Sequence, residues 1–212
     1  RDEETGQYWS PTPSPKRGNT PYVIRHGFGY SVFEHTEFGI ESELWIYIAL
    51  DKSIKFINIK MKNISNRKRY LSISGYYEWV LAKTKSKSHM YTQTEVDIET
   101  GVLYAYNFYN SDFADNISFI DVNEPRTVTG DRKEFIGQNG SLSDPEAMKR
   151  TRLSGKTGAG MDSCGAVQVV FELAEGSTKE TRFKLGFAHS IEEMKQLISK
   201  YRQTGSPQQV LD

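Results

Sequence analysis

Apolar and aromatic residues alternate with polar residues through most of the chain, and this period of two is typical of half-buried β-strands. In the clearest run, residues 70–81, Leu71 and Ile73 share one face, whereas Ser72 and Ser74 share the other. The pattern predicts ten strands, at residues 22–33, 43–50, 54–64, 70–81, 91–96, 102–107, 117–122, 126–129, 166–173 and 178–188. Short polar turns rather than helices separate them, so we expect an all-β fold, a large antiparallel sandwich.

Three connections between these strands are short. Residues 65–68, Ser-Asn-Arg-Lys, are polar turn formers. They predict a hairpin between residues 54–64 and 70–81. Residues 97–101 and 174–176 are as short as the turns that join antiparallel neighbours.

A long polar insertion at residues 129–162 interrupts the strand pattern and contains six glycines. Loops of this length in a compact domain are usually functional or disordered. Inside it, Asp144 is placed as an N-cap and Pro145 as the first helical residue, which predicts a short helix.

The C-terminal region changes to a helical period. Residues 190–193, Ser-Ile-Glu-Glu, form a capping box. The apolar residues that follow fall on one helical face: Ile191, Met194, Leu197, Ile198 and Tyr201. We expect an amphipathic helix that ends at residues 205–207 and buries its apolar stripe on the sandwich or on another domain.

Composition narrows the possible functions. The 212 residues carry 27 Lys and Arg against 27 Asp and Glu, so no net charge favours nucleic acid. The single cysteine, Cys164, has no disulfide partner and is expected to be a buried, inert thiol in a reducing, cytoplasmic setting. The chain has no run of about 18 apolar residues. It also starts without Met, and we expect it to be part of a longer protein.

Local motifs for cofactor or nucleophile chemistry are absent from the sequence. The four histidines are scattered without the spacing of metal ligands, so no metal and no cofactor are expected. Residues 27–29, Gly-Phe-Gly, lack the remainder of a nucleotide-binding loop. No Gly-x-Ser-x-Gly nucleophile elbow occurs either.

Two places could still contact a sugar. His26 follows Arg25 and precedes two glycines, as either a functional or a hydrogen-bonded structural residue. Glu78 lies beside Tyr76 and Trp79 and is either a desolvated carboxylate with a raised pKa or an anchor for an arginine.

The insertion offers a third candidate. Asp131, Arg132 and Gln138 are polar residues on a loop that glycines flank, and such a loop either reaches a ligand or is simply solvated.

Several motifs, taken in order, resemble one carbohydrate-active family. They are Trp9-Ser-Pro-Thr-Pro13, Arg25-His-Gly-Phe-Gly-Tyr-Ser31, Tyr77-Glu-Trp79, Arg126-Thr-Val-Thr-Gly-Asp-Arg132 with Phe135-Ile-Gly137, and Leu173-Ala-Glu-Gly176. Over residues 7–201 the chain resembles the N-terminal β-sandwich domain of glycoside hydrolase family 94. This family includes cellobiose and chitobiose phosphorylases, and the likeness is greatest to the C-terminal region of cyclic β-1,2-glucan synthases.

The resemblance implies a galactose-mutarotase-like super-sandwich at residues 1–189, a linker helix at 190–204 toward an (α/α)6 catalytic barrel, and a tail at 205–212. The barrel would carry the catalytic acid and bind the β-glucan oligosaccharide, so no catalytic residue is assigned to this chain. A loop of this domain would cover the pocket of the other subunit in a homodimer, and residues 131–138 are matched to it. A synthase parent would be associated with a membrane.

Two alternatives to a non-catalytic scaffold remain open. One is a free-standing carbohydrate-binding module with Tyr76, Trp79 or Trp45 as stacking platforms. The other is a mutarotase-like epimerase with His26 and Glu78 as acid and base.

Overall fold

The computed structural model describes residues 1–112, 114–203 and 210. Its strands are β1 (Tyr22–Gly27), β2 (Tyr30–Glu37), β3 (Ile40–Ile48), β4 (Ile54–Asn63), β5 (Arg69–Glu78), β6 (Gln93–Val96), β7 (Leu103–Tyr106), β8 (Ile117–Val122), β9 (Thr127–Asp131), β10 (Ser163–Leu173) and β11 (Thr178–Ala188). The helices are α1 (Lys85–Ser88), α2 (Arg132–Phe135), α3 (Ile191–Gln203) and a 3-10 helix at Glu146–Lys149.

The strands form two antiparallel sheets. The larger has eight strands in the order β1-β2-β3-β4-β11-β8-β7-β6, and the smaller has three in the order β5-β10-β9. Alternate residues of the facing sheets meet in a core that includes Leu44, Ile59, Val167 and Val169. Burial of each such side chain contributes about 1.5–3 kcal/mol. The predicted all-β antiparallel sandwich is confirmed.

Helix α3 covers the outer face of the large sheet. Four residues of its apolar stripe are buried there among Tyr47, Phe56 and Phe119: Met194, Leu197, Ile198 and Tyr201. At its start, Ser190 Oγ accepts from Glu193 N at 3.0 Å, and Glu193 Oε2 accepts from His189 N at 2.8 Å.

The predicted amphipathic helix is therefore confirmed, and its stripe is buried on the sandwich itself. Only Ile191 of the predicted stripe is exposed. The predicted helix end at residues 205–207 lies outside the described residues. No helix in the described ranges is long and apolar enough to cross a membrane.

The predicted hairpin between residues 54–64 and 70–81 is wrong. Strand β4 pairs with β3 and β11, whereas β5 pairs with β10 in the other sheet. The short segment 174–176 likewise crosses between sheets, from β10 to β11.

The buried side chain of Asn63 links the two crossings. Its Nδ2 donates to Arg67 O at 2.8 Å and to Leu173 O at 2.9 Å. Short loop length alone did not reveal that these turns change sheet.

The predicted single strand at 22–33 is a hairpin of β1 and β2. Gly27 pairs with Tyr30, which leaves Phe28 and Gly29 as a two-residue turn. Gly29 has a φ of 77°, a left-handed conformation that such turns require.

The insertion at 129–162 is packed rather than an open loop. Phe135, Ile136, Ala147 and Leu153 form a small core under β10. Apart from the 3-10 helix, residues 136–162 lie outside the named helices and strands, as predicted for a long loop insertion, and this cluster packs them on the small sheet.

The predicted cap of the short helix is also corrected. Glu146–Lys149 is a 3-10 helix that begins after Pro145 without a side-chain cap. The carboxylate of Asp144 instead accepts from the hydroxyl of Tyr8 at 2.9 Å.

Candidate functional site

Strand β10 brings two distant parts of the chain together at one end of the small sheet. On one side Cys164 pairs with Glu78, the last residue of β5, and on the other Ser163 pairs with Asp131, the last residue of β9. Because α2 begins directly after β9, Arg132 lies across β10 from Glu78. The fold thus joins two of the candidate regions that the sequence shows separately.

Glu78 accepts hydrogen bonds from three side chains. Oε1 accepts from Tyr76 Oη at 2.8 Å and from Arg132 Nε at 3.0 Å, and Oε2 accepts from Lys85 Nζ. Asp162 is paired with the same two cations, at 3.5 Å from Arg132 Nη1 and 3.8 Å from Lys85 Nζ. We call Tyr76, Glu78, Lys85, Arg132 and Asp162 the Glu78 cluster.

The environment of Glu78 keeps its carboxylate ionised. Partial burial by itself raises the pKa, but the hydrogen bonds from Lys85, Tyr76 and Arg132 outweigh it and lower the pKa to about 2. The sequence-based alternative of a raised pKa is wrong, and the anchor reading is the one the geometry supports. At neutral pH Glu78 has no proton to donate as a general acid.

The Glu78 cluster is ordered and partly exposed. The side chains of Arg132 and Glu78 are 28% and 35% exposed. Tyr76 stacks on Phe135 of α2 with ring centroids 4.7 Å apart, which fixes the ring between the cluster and the small core. The hydrogen bond to Glu78 raises the pKa of Arg132. This arrangement presents a fixed, permanently charged guanidinium at the surface, suited to contact hydroxyl or carboxylate oxygens.

The other two insertion candidates take different positions. Asp131 is buried, and its carboxylate accepts from Lys133 N at 3.0 Å as the N-cap of α2 and pairs with Lys156. Gln138 is exposed after the end of α2. Of the three, only Arg132 joins the Glu78 cluster.

Sequence reasoning missed Lys85 and Asp162. Lys85 belongs to the short helix α1, and Asp162 precedes β10, far from Glu78 along the chain. Neither carries a local motif. Lys85 follows Glu78 by seven positions, whereas Asp162 reaches the cluster through the pairing of β10 with β5 and β9.

Arg25 and His26 lie in the large sheet, whereas Glu78 lies in the small sheet. They belong to β1, the edge strand of the large sheet, and both are exposed. Arg25 forms an ion pair with Glu34 on β2, and His26 Nδ1 lies 2.8 Å from Ser31 Oγ. These cross-strand contacts within one hairpin give His26 a structural environment.

The tryptophan candidates offer little surface. Trp79 is buried and packs directly over Gly165, where an added Cβ would lie 2.3 Å from its Cζ2. Trp45 is half-buried, donates to Glu43 Oε1 at 2.8 Å and stacks on Tyr30.

Exposed aromatic rings lie instead next to β6 and β7. Tyr91 and Tyr109 stack with their centroids 3.9 Å apart, and Tyr109 is 73% exposed. Phe108 is similarly exposed, and its ring centroid lies 4.5 Å from that of Tyr106.

The remaining candidates among the described residues are Cys164 and the side chains that could ligate a metal. Cys164 is buried as predicted, and burial raises the pKa of its thiol, so it carries no thiolate at neutral pH. In the described part of the chain, no group of three or more His, Cys, Asp or Glu is arranged to hold a metal ion.

A family model and several known proteins match most of this chain in sequence. The family model described as glycosyl hydrolase 94, supersandwich domain, matches residues 1–204. The chain is 27% identical to cyclic beta-(1,2)-glucan synthase NdvB of Rhizobium meliloti, over 95% of the chain and 7% of that protein. It is 24% identical to N,N'-diacetylchitobiose phosphorylase of Vibrio proteolyticus, over 86% of the chain and 24% of that protein. The chain therefore spans a quarter or less of these relatives' length.

A third relative and one solved structure extend the comparison. Solabiose phosphorylase of Paenibacillus borealis is 25% identical, over 94% of the chain and 27% of that protein. A bacterial glucoamylase complexed with acarbose superposes with a TM-score of 0.54 at 9% identity, over 89% of this chain and 27% of that one. The superposition shows a shared sandwich fold.

Proposed function

The chain belongs to the glycosyl hydrolase 94 supersandwich-domain family, and from this membership we propose that it is a non-catalytic scaffold and dimerisation domain of a β-glucan-processing enzyme. The parent would be of the cyclic β-1,2-glucan synthase or glycoside phosphorylase type, as its relatives are. Catalysis would take place in an (α/α)6 barrel of the same parent chain.

The observation that carries the non-catalytic role is the state of Glu78. Glycoside chemistry with two carboxylates needs one of them protonated as the acid. Glu78 is ionised and bonded to Tyr76, Lys85 and Arg132, so Glu78 itself has no proton to donate in this way.

Arg132 is the residue through which the domain would contact the sugar. Glu78 and Asp162 hold its guanidinium at a fixed orientation, which reduces the entropy lost when it binds a ligand. We propose that the segment 131–138 covers the catalytic pocket of the other subunit in a homodimer, with Arg132 directed toward the oligosaccharide. In this segment Asp131 would maintain the start of α2, and Gln138 would contribute an exposed amide.

Helix α3 would position the barrel. Its apolar stripe is buried on the large sheet, and Arg202 near its end donates to Asp121 Oδ1 at 2.7 Å. A helix attached in this way would transmit a fixed orientation from a sandwich at residues 1–189 to whatever follows the linker at 190–204.

An assay of the purified 212-residue chain tests the non-catalytic role. Incubated with β-1,2-gluco-oligosaccharides, cellobiose or chitobiose and inorganic phosphate, the chain is expected to release no sugar phosphate. Turnover that tracks the protein through purification and is lost in Glu78→Gln would contradict the proposal.

A free-standing carbohydrate-binding module is the second candidate, and the exposed pair Tyr91 and Tyr109 favours it. Such rings can stack on sugar faces. Calorimetric titration with β-1,2-gluco-oligosaccharides separates the two functions. Binding that Tyr109→Ala abolishes and Tyr70→Ala preserves would support the module, whereas the scaffold role predicts no measurable binding by the isolated chain.

A further inference from the structure

The charged side chains of the Glu78 cluster form a closed ring of ion pairs. Glu78 faces Arg132 with Oε1, at 3.0 Å from Nε, and faces Lys85 with Oε2. Asp162 faces the same two cations, with Oδ2 at 3.5 Å from Arg132 Nη1 and Oδ1 at 3.8 Å from Lys85 Nζ. Each carboxylate therefore bridges both cations, with one oxygen toward each. The two positive and two negative charges cancel.

The other charged residues of the neighbouring segment leave this balance unchanged. Asp131 pairs with Lys156, and Glu134 pairs with Arg150 at 3.4 Å. Lys133 is exposed, so water and salt screen its charge. Arg132 therefore meets a ligand from neutral surroundings rather than from a basic patch.

The two carboxylates also decide which nitrogens of Arg132 are open to a ligand. Glu78 accepts from Nε and Asp162 lies beside Nη1, whereas Nη2 has no hydrogen bond or ion pair within the described part of the chain. A carboxylate or phosphate binds an arginine best through two adjacent nitrogens, either Nε with Nη2 or Nη1 with Nη2. Each of these pairs includes a nitrogen that already faces a carboxylate.

An anionic ligand would therefore have to displace Glu78 or Asp162, and it would lie close to both negative charges. A neutral hydroxyl oxygen needs only the hydrogens of Nη2 and meets no such repulsion. Of the two kinds of oxygen that a guanidinium can contact, the ring thus favours the hydroxyl.

We propose that Glu78 and Asp162 make Arg132 selective for neutral sugars and against sugar acids. The inference rests on the proposed contact between Arg132 and the oligosaccharide. It gives the two carboxylates a role beyond orientation, because they also cancel the positive charge and occupy the nitrogens that an acid would use. Lys85 completes the ring by holding both carboxylates beside Arg132. This selectivity comes from a repulsive element against the competitor as well as from an attractive one.

The test measures kcat/KM of the full-length parent, with inorganic phosphate, for a neutral disaccharide and for two acids derived from it. The disaccharide is sophorose or cellobiose, whichever the parent cleaves faster. One acid carries its carboxylate at C1 of the reducing end, and the other carries it at C6 of the non-reducing sugar. The unmodified parent should prefer the neutral sugar to each acid by about tenfold or more.

Removal of one carboxylate should weaken this preference. Asp162→Asn leaves the ring with one uncompensated positive charge and frees Nη1 to pair with Nη2. It should raise kcat/KM for at least one acid, relative to the neutral sugar, by about 5- to 10-fold.

Two further variants separate specificity from folding. Asp162→Glu keeps the charge and should keep the preference for the neutral sugar. Asp115→Asn makes the same chemical change as Asp162→Asn at an exposed position outside the cluster and should leave the preference unaltered. The two kcat/KM values of a variant come from one preparation, so their ratio does not depend on the fraction of protein that is folded.

An unmodified parent that uses an acid as well as the neutral sugar would overturn the proposal, and so would an unchanged preference in Asp162→Asn. If Arg132→Ala still lowers kcat/KM for the neutral sugar, such a result removes only the role of the two carboxylates and leaves the contact of Arg132 in place. If Arg132→Ala leaves that value unaltered, the contact itself is wrong and the selectivity falls with it.

Discussion

Arg132 Nε donates to Glu78 Oε1 at 3.0 Å, which joins the first residue of α2 to the last residue of β5 across strand β10. The two residues are 54 positions apart in sequence. Their pairing converts an isolated acidic candidate and an isolated basic one into a single ordered site.

The titration of Glu78 tests this environment. The donors lower its folded-state pKa from 4.5 to about 2, so this group stabilises the fold above about pH 4.5 and loses that effect as the pH falls toward 2. Carbon-13 NMR of the side-chain carboxyl should give a midpoint near 2, and Lys85→Ala should raise it by removing a donor. A midpoint at or above the ordinary value would show that the cluster does not form.

Replacement of Asp121 by Asn is expected to destabilise the domain by about 3–5 kcal/mol. Asp121 and Lys184 are both almost completely buried and 3.3 Å apart, and Arg126 and Arg202 donate to the same carboxylate. Without the negative charge, Lys184 is a buried cation without its counter-ion. Urea denaturation measures the change.

The exposed Glu175 provides the control for this variant. Glu175→Gln should alter the free energy of unfolding by less than about 0.5 kcal/mol. If Asp121→Asn behaves like Glu175→Gln, the buried charge cluster does not contribute as described.

Replacement of Gly165 by Ala tests the packing of Trp79. The new Cβ would lie 2.3 Å from Trp79 Cζ2, a rigid ring that the surrounding core holds in place, so we expect a loss of about 1–3 kcal/mol. Trp79→Phe in the same chain removes the clashing ring atoms. The double variant should therefore be less destabilised than the sum of the two single variants, and simple additivity would argue against the contact.

At the start of helix α3 we predict a smaller change in the free energy of unfolding. Ser190→Ala removes the hydroxyl that accepts from Glu193 N and should cost about 1 kcal/mol in unfolding experiments. Ser199→Ala changes the same residue type at an exposed position inside the helix and should cost nothing. Equal effects of the two changes would mean that Ser190 does not cap α3.

The alternation of residues was enough to predict the fold class and most of the strands, although the strand predicted at 22–33 is a hairpin of β1 and β2. It did not predict partners: residues 54–64 and 70–81 read as a hairpin, yet β4 and β5 lie in different sheets. At the crossing, the buried amide of Asn63 donates to the carbonyl of Arg67 in one turn and to that of Leu173 at the end of β10. Such a contact between residues 110 positions apart has no local signature.

The sequence likewise revealed some residues of the candidate site and missed others. Glu78 and Arg132 were recognisable as unusual residues in their own segments. Lys85 and Asp162 were not. Asp162 joins the site only when β10 brings its two neighbours together, and Lys85, seven positions after Glu78, lies in a short helix that the pattern did not predict. The opposite error occurred at Trp79, where an aromatic beside a carboxylate suggested a platform but the side chain fills the core.

In the proposed function, Arg132 would serve the active site of a larger enzyme by contacting the oligosaccharide. This contact is tested by kcat/KM of the full-length parent carrying Arg132→Ala, beside Arg152→Ala, which removes an exposed arginine outside the segment 131–138. We predict that Arg132→Ala lowers kcat/KM by about 10- to 100-fold, the equivalent of one hydrogen bond from a charged group. Its unfolding midpoint should fall only slightly, because the lost ion pair is partly exposed, and Arg152→Ala should retain full activity. An Arg132→Ala parent with unaltered kcat/KM would contradict the account.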